Sequence, residues 1–193
     1  MDPERLLQQA LRELGQVSSL EFFEYRTGDD EISACWELDS PEQLRGEFSV
    51  MSLQRALAEK AHDHPLEEEL TPAERQRWSE LHPFDGHSWG GTGEWVALRV
   101  GPGTPELWYY RPETTKENFA GFRMDIDHDQ YLRALAITKG TYGWQTLFCD
   151  PANLDEDDMS YVRAGLEEML ELFPPLFPAH DYEPLRARLA ERS

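Results

Sequence analysis

Asp125, Asp127 and Asp129 stand two residues apart, the spacing of a carboxylate loop that could hold a calcium ion. An EF-hand loop also wants Gly at its sixth position and Glu at its twelfth, and those places hold Gln130 and Ala136. An extended strand would send Ile126 and His128 to the opposite face. The better reading is a strand exit followed by an aspartate that caps a short helix carrying Tyr131, Leu132 and Leu135. His62, His64, His82 and His87 could assemble a zinc or nickel site, since imidazole is a common ligand. None shows the i, i+4 spacing of a His-Glu-x-x-His site, and no paired cysteine accompanies them. They lie in polar, turn-rich stretches and read as solvated surface histidines. Cys149 and a histidine could form a nucleophile pair, but Cys149 follows Leu147-Phe148 in a strand-like run and reads as a buried structural cysteine. Gly90-Gly91-Thr92-Gly93 could suggest a phosphate loop. It lacks the following Lys-Ser/Thr and leads into a strand, so a loop or bulge beside Trp89 and Trp95 accounts for it.

Charge points elsewhere. Eighteen Lys and Arg face thirty-eight Asp and Glu, a formal net charge of −20. That imbalance opposes nucleic acid and anionic membrane, whose phosphates need cations, and favours a basic partner or merely good solubility. Asp150, Asp155, Glu156, Asp157, Asp158, Glu167, Glu168 and Glu171 are offset within their segment by Arg163 alone. Such a patch raises encounter rates with a cationic partner; singly, each carboxylate is a solvated surface group or a favourable helix N-terminal charge. The start, Met1-Asp2-Pro3-Glu4, is acidic where a secretory signal is basic and then apolar, and no apolar run approaches the ~18 residues of a membrane span. Cys35 and Cys149 fit two free thiols in a reducing cytoplasm, the expectation here, or a single disulfide.

The elements that must position these groups follow from periodicity. At 193 residues with 39% hydrophobic and 11% aromatic content, residues 1–193 form one domain able to bury roughly 70% of the unfolded surface. Leu6, Leu7, Ala10, Leu11 and Leu14 make one face of a first helix that Gly15 stops. Ser18 or Ser19 is expected to open a shorter helix through Leu20, Phe22, Phe23 and Tyr25, ending near Gly28. Ile32, Ala34, Trp36 and Leu38 alternate as a half-buried strand, and Phe48 and Val50 make another. Ser52 can cap a helix with Leu53, Ala56 and Leu57, and Thr71-Pro72-Ala73-Glu74 is a capping box before Trp78 and Leu81. Residues 94–100 and 106–111 read as a hairpin across a Gly-Pro-Gly turn, and Phe122, Met124 and Ile126 as a further strand. Lys139 suits the last turn of the Tyr131 helix, with Gly140 as its left-handed stop. Met159 to Phe173 follow helical spacing until Pro174-Pro175 breaks it, and Tyr182, Leu185 and Leu189 line a final helix. The expected fold class is α+β: a central, mostly antiparallel sheet flanked by N- and C-terminal helices.

Several of these segments carry a resemblance. The order Asp127-His128-Asp129-Gln130-Tyr131-Leu132, then Lys139-Gly140, Tyr142-Gly143-Trp144-Gln145 and Leu147-Phe148 resembles the C-terminal half of the SUKH superfamily. That superfamily groups a yeast cell-wall assembly regulator with bacterial toxin-immunity proteins. Leu20 to Tyr25 with Gly28 and Trp36, Gly46 to Leu53, Pro83-Phe84 with Gly93 and Trp95 to Leu98, and Leu176-Phe177-Pro178 are similar to its other segments. The chain departs from it at Val17-Ser18-Ser19-Leu20, where a Leu-Pro-x-x-Tyr is usual, and in an acidic insert over 61–70. The resemblance implies a SUKH-like, non-catalytic protein-binding domain, without cofactor or metal. Its implied role is an immunity protein that neutralises a cationic toxin; the alternatives are a regulatory scaffold of the cell-wall assembly type and a small metal-assisted enzyme. In the binding reading Trp89, Trp95, Trp108 and Tyr110 are the aromatic anchors, since Trp and Tyr are enriched at interface hot spots, and Asp155, Glu156, Asp157 and Asp158 supply charge. Trp36 and Trp144 are expected in the core.

Overall fold

Leu7, Ala10, Leu11 and Leu14 recur every three or four residues, and Pro3–Leu14 accordingly forms helix α1 with that face buried. The computed structural model describes residues 3–28, 30–59, 71–87, 89–90, 92–111, 121–154 and 156–192. Strands β1 (Leu20–Thr27), β2 (Glu31–Leu38) and β3 (Arg45–Met51) pair antiparallel in that order. Ile32, Ala34, Trp36 and Leu38 of β2 and Phe48 and Val50 of β3 face the core.

The helix expected over Leu20 to Tyr25 is therefore strand β1 instead. Phe22 lies opposite Trp36 and Glu24 opposite Cys35, so Phe23 is an extra residue in a β-bulge. The bulge sets two aromatics side by side and breaks the period of two, which gave the segment a helical look. Aromatic side chains nonetheless favour the pleated surface, and β2 supplies the partner.

Ser52 accepts from the amide of Arg55 and caps α2 (Leu53–Ala58), and Thr71 and Glu74 close a capping box on α3 (Pro72–Ser79). A second antiparallel sheet runs β4 (Leu81–Gly86), β5 (Trp95–Arg99), β6 (Glu106–Tyr110) and β7 (Phe122–Arg123) in order. The β5–β6 hairpin matches its expectation. Pro83 and a register shift between Pro83 and Asp85 hid β4, because proline cannot donate to a ladder.

The fold class is α+β, but the sheet is divided into three-stranded and four-stranded parts. They meet where β3 packs on β4. There the amide of Ser49 donates to Asp85 Oδ1 at 2.8 Å, and the Tyr131 hydroxyl donates to Asp85 Oδ2 at 2.6 Å. A carboxylate thus takes the place of a strand carbonyl at the seam.

Asp127 caps α4 (His128–Thr138) with Gln130 in a capping box, as the aspartate pattern required. Lys139 takes the left-handed C-cap position itself, with φ 56°, and Gly140 follows at φ 73°. A Cβ on Gly140 would come 2.9 Å from the Glu47 carbonyl oxygen, so glycine is needed there for space as well as for backbone. Trp144–Phe148 is a 3-10 turn that takes in Leu147 and Phe148, expected as a strand-like run, and Cys149 is buried beyond it in a single bridge to Met124.

Helix α5 (Glu156–Leu176) also differs from expectation, since it passes through Pro174 and Pro175. Pro174 has no N–H for the carbonyl of Leu170, one turn back, and the guanidinium of Arg186 donates to that oxygen instead. Arg186 comes from α6 (Glu183–Ala190), whose Leu185 and Leu189 are buried as expected, with Tyr182 just before them. Arg192 donates to the carbonyls of Thr146 and Cys149. Among the described residues the larger of two apolar cores runs from Leu7 through both sheets to Leu189.

Candidate protein-binding surface

Glu47 on β3 is a carboxylate with only 2% of its surface exposed. Its oxygens accept from the amides of Trp89 at 2.5 Å and Gly90 at 2.6 Å, and from the Tyr142 hydroxyl at 3.3 Å. The glycine-rich loop does cradle an anion, but the anion is the protein's own. Gly90 is required by space, because a Cβ there would meet Glu47 Oε2 at 2.5 Å and press on the Tyr142 hydroxyl. Nothing in the local sequence announces this contact, which spans 42 positions.

Held at its backbone in this way, Trp89 leaves 59% of its surface exposed. It borders a cavity of about 280 Å³ on the polar face of the first sheet, with Glu24, Glu31, Ser33, Cys35 and Glu47 among its walls. Glu24 pairs with Arg26 at 2.6 Å, Glu31 with Arg55 at 2.9 Å and Glu37 with Arg45 at 2.6 Å, so this face carries alternating charge. Cys35 forms part of the floor. Burial, and then the nearby Glu47 carboxylate, push its thiol up to about 11, which removes the thiolate that nucleophilic chemistry needs.

Trp95, Trp108 and Tyr110 come together on a different surface, the outer face of the second sheet. Register places Trp95 opposite Tyr110 and Ala97 opposite Trp108. The Trp95 and Tyr110 rings stack at 4.2 Å and 9°, and Trp78 of α3 meets both edge-on at 5.5 and 5.6 Å. Arg77 lies over the Trp108 ring at 5.1 Å. With Leu81 and Ala97 these residues form a small second core. Tyr110 is buried, so it supports the cluster; Trp95 and Trp108 are half-buried. Trp78 and Arg77 were absent from the sequence-based anchors, and their signal was the capping box that placed α3 immediately before β4. Here too the carboxylates are engaged: Arg99 pairs with Glu80 at 2.8 Å and Glu106 at 3.1 Å, and Trp108 Nε1 donates to Glu106.

Of the acidic segment, Asp155 lies outside the described residues, as do the side chains of Glu156, Asp157 and Asp158, whose backbone opens α5. Further along α5, Glu167 and Glu171 are exposed one turn apart.

The histidines divide. His62 and His64 lie outside the described residues. His82 Nδ1 is 2.7 Å from the Glu59 carbonyl at the end of α2. His87, expected on the surface, is buried at 5% exposure, with Nδ1 2.9 Å from Thr92 Oγ1 and its ring 5.4 Å from that of Tyr142. The buried β4 end, not a solvated turn, sets its environment, and burial pulls its pKa down to about 4. Asp85, two residues earlier, is pushed up to about 6 by burial, against the hydrogen bonds from Tyr131, Ser49 and Gly86.

The aspartate triplet is spent on structure. Asp125 pairs with Arg188 at 2.8 Å, Asp127 caps α4, and Asp129 pairs with Arg133 at 2.8 Å. Among the described residues no group of three or more His, Cys, Asp or Glu side chains gathers in a way that could hold a metal ion. No described helix is long and apolar enough to cross a membrane. No family model, curated protein or solved structure matches the chain.

Proposed function

We propose that this chain is a non-catalytic protein-binding domain that captures a basic partner, in the manner of an immunity protein that masks a cationic toxin. The observation that carries the reading is Trp89: a large aromatic 59% exposed, whose amide is fixed on a buried carboxylate. An aromatic mounted on a fixed backbone loses little freedom on binding, which is the property of a hot-spot residue. The net charge of −20 supports a cationic partner, drawn in by long-range attraction. The resemblance to the SUKH superfamily supports the same class, and the half-buried Trp95 and Trp108 offer a second aromatic surface. A cytoplasmic setting fits Cys35 and Cys149, which are both buried and not joined in a disulfide.

The test is capture from native lysate on immobilised wild-type protein and on Trp89→Ala, at low and high salt, read by mass spectrometry. One basic protein held at low salt, shed at high salt and lost from the variant supports the immunity role. A salt-resistant client moves the reading to a regulatory scaffold. Equal retention by Trp89→Ala removes Trp89 as the anchor.

A further inference from the structure

Strand β1 is the outer strand of the first sheet, and among the described residues nothing pairs with its free edge. An unpaired edge offers a row of N–H and C=O groups that another strand can take up. Two aromatics stand exposed on it, Phe23 at 50% and Tyr25 at 61%. Beside it lies a groove of about 480 Å³ between α1 and β1, bordered by Gln8, Leu11, Arg12, Phe22 and Tyr25.

The bulge gives this edge a particular symmetry. Phe22 and Tyr25 both lie on the core side, opposite Trp36 and Ala34, while Glu21 and Arg26 both lie on the other side, opposite Glu37 and Ser33. In a regular strand residues five apart point to opposite faces; the extra residue at Phe23 brings Glu21 and Arg26 onto one face. If a second β1 runs antiparallel to the first about a twofold axis between Phe23 and Glu24, Leu20 meets Thr27, Glu21 meets Arg26 and Phe22 meets Tyr25. Each opposition occurs twice. The charges are complementary, and the aromatics continue from one groove into the other.

We propose that β1 is a homodimer interface, in which two copies of this chain join their three-stranded sheets into one six-stranded sheet across a twofold axis. A twofold contact must be self-complementary, and the order Leu-Glu-Phe-Phe-Glu-Tyr-Arg-Thr meets that condition in this register only because of the bulge. Arg26, with 68% of its side chain exposed and already 2.6 Å from Glu24, is placed to bridge its own Glu24 and the second copy's Glu21. The net charge of −20 on each copy opposes association, but charges beyond about 8 Å are screened at physiological salt, whereas the paired Glu and Arg are in contact.

Charge exchange tests the register. Sedimentation equilibrium of the wild-type chain from about 1 to about 100 μM, the weak end of the range for protein–protein contacts, should show a monomer–dimer equilibrium. Glu21→Arg and Arg26→Glu should each weaken the dimer about tenfold or more, because each sets like charges opposite one another twice. The double variant Glu21→Arg/Arg26→Glu should restore it, and a mixture of the two single variants should form heterodimers. Both positions are exposed, so circular dichroism should stay at wild-type values, and so should urea midpoints read below about 1 μM, where dimerisation adds little to stability. A monomer throughout the range overturns the proposal and leaves the edge open to a strand of another protein. So does a dimer that neither single variant weakens, or one that the double variant fails to restore.

Discussion

Lys139 Nζ lies 2.5 Å from Glu13 Oε2, joining the end of α4 to the end of α1 across 126 positions of sequence. The lysine is fully buried, donates also to the carbonyl of Ala136 at 2.6 Å, and sits 4.9 Å from the centre of the Phe177 ring. His180 closes the group at 2.8 Å from the same carboxylate. Burial pulls the Lys139 pKa down while Glu13 pushes it back up, and the cation's backbone carbonyl accepts from Trp36 Nε1 at 2.8 Å. One residue therefore ties two helices, the turn after α5 and the central tryptophan together, from a left-handed backbone position that glycine usually fills.

Removing the cation should be costly. Lys139→Ala leaves a cavity along the stem and an unmatched carboxylate, and should lower unfolding free energy by about 2–4 kcal/mol in urea titrations. Lys139→Met keeps most of the stem and should cost less. Glu13 is held down at about 2, below its ordinary 4.5, so its stabilisation is complete above pH 4.5 and is lost as pH falls toward 2. Glu13→Gln should flatten that acid limb. An unchanged limb would mean that the ion pair is not what holds the carboxylate ionised.

Arg186 stands in for the amide that Pro174 lacks. Arg186→Met should destabilise by about 1–3 kcal/mol, the cost of a buried carbonyl left without a donor. In a Pro174→Ala background the helix supplies its own N–H to Leu170, and the same arginine substitution should cost much less. Additive effects in this double-mutant cycle would show that the guanidinium acts elsewhere.

Much of the helical frame was legible because caps are local. Asp127 with Gln130, Thr71 with Glu74 and Ser52 each lie within three residues of the amides they serve. The alternation of Ile32, Ala34 and Trp36 needed only its own period. What escaped reading was set by distant partners. Phe23 became a bulge because β2 fixes the register around it, and α5 outlived its two prolines because α6 delivers Arg186. His87 read as polar surface, yet the β4–β5 ladder carries it inside. The mounting of Trp89 on Glu47 had no local trace either, since a carboxylate inside a strand reads as solvated until its donors are in place.

That mounting is open to test. Glu47→Gln replaces one acceptor oxygen with a donor group facing the amides of Trp89 or Gly90, and should cost about 1–3 kcal/mol by urea unfolding. Gly90→Ala should destabilise by about 1–2 kcal/mol through crowding, and Tyr142→Phe, which removes the hydroxyl, should relieve part of that loss. Both Glu47→Gln and Gly90→Ala should shift the emission of Trp89, read in a background where the other tryptophan signals are subtracted with Trp89→Phe. An unmoved Trp89 signal would break the link between the buried carboxylate and the exposed ring.

Asp85 and His87 act on stability with opposite signs. The His87 pKa, about 4, lies below the ordinary 6.5, so its neutral burial stabilises above pH 6.5 and that contribution is lost as pH falls toward 4. The Asp85 pKa, about 6, lies above the ordinary 3.8, so its contribution is complete below pH 3.8 and is lost as pH rises through 6. Between pH 4 and 6 the two trends offset each other, and the wild-type unfolding free energy should be nearly flat. Asp85→Asn uncovers the histidine: its stability should fall by about 1–3 kcal/mol between pH 6.5 and 4. His87→Gln uncovers the aspartate, and its stability should instead rise as pH falls from 6 to 4. Urea midpoints at half-unit pH steps separate these cases, because opposite slopes in the two variants require both shifts, while parallel slopes would mean that one of the groups titrates normally in the fold.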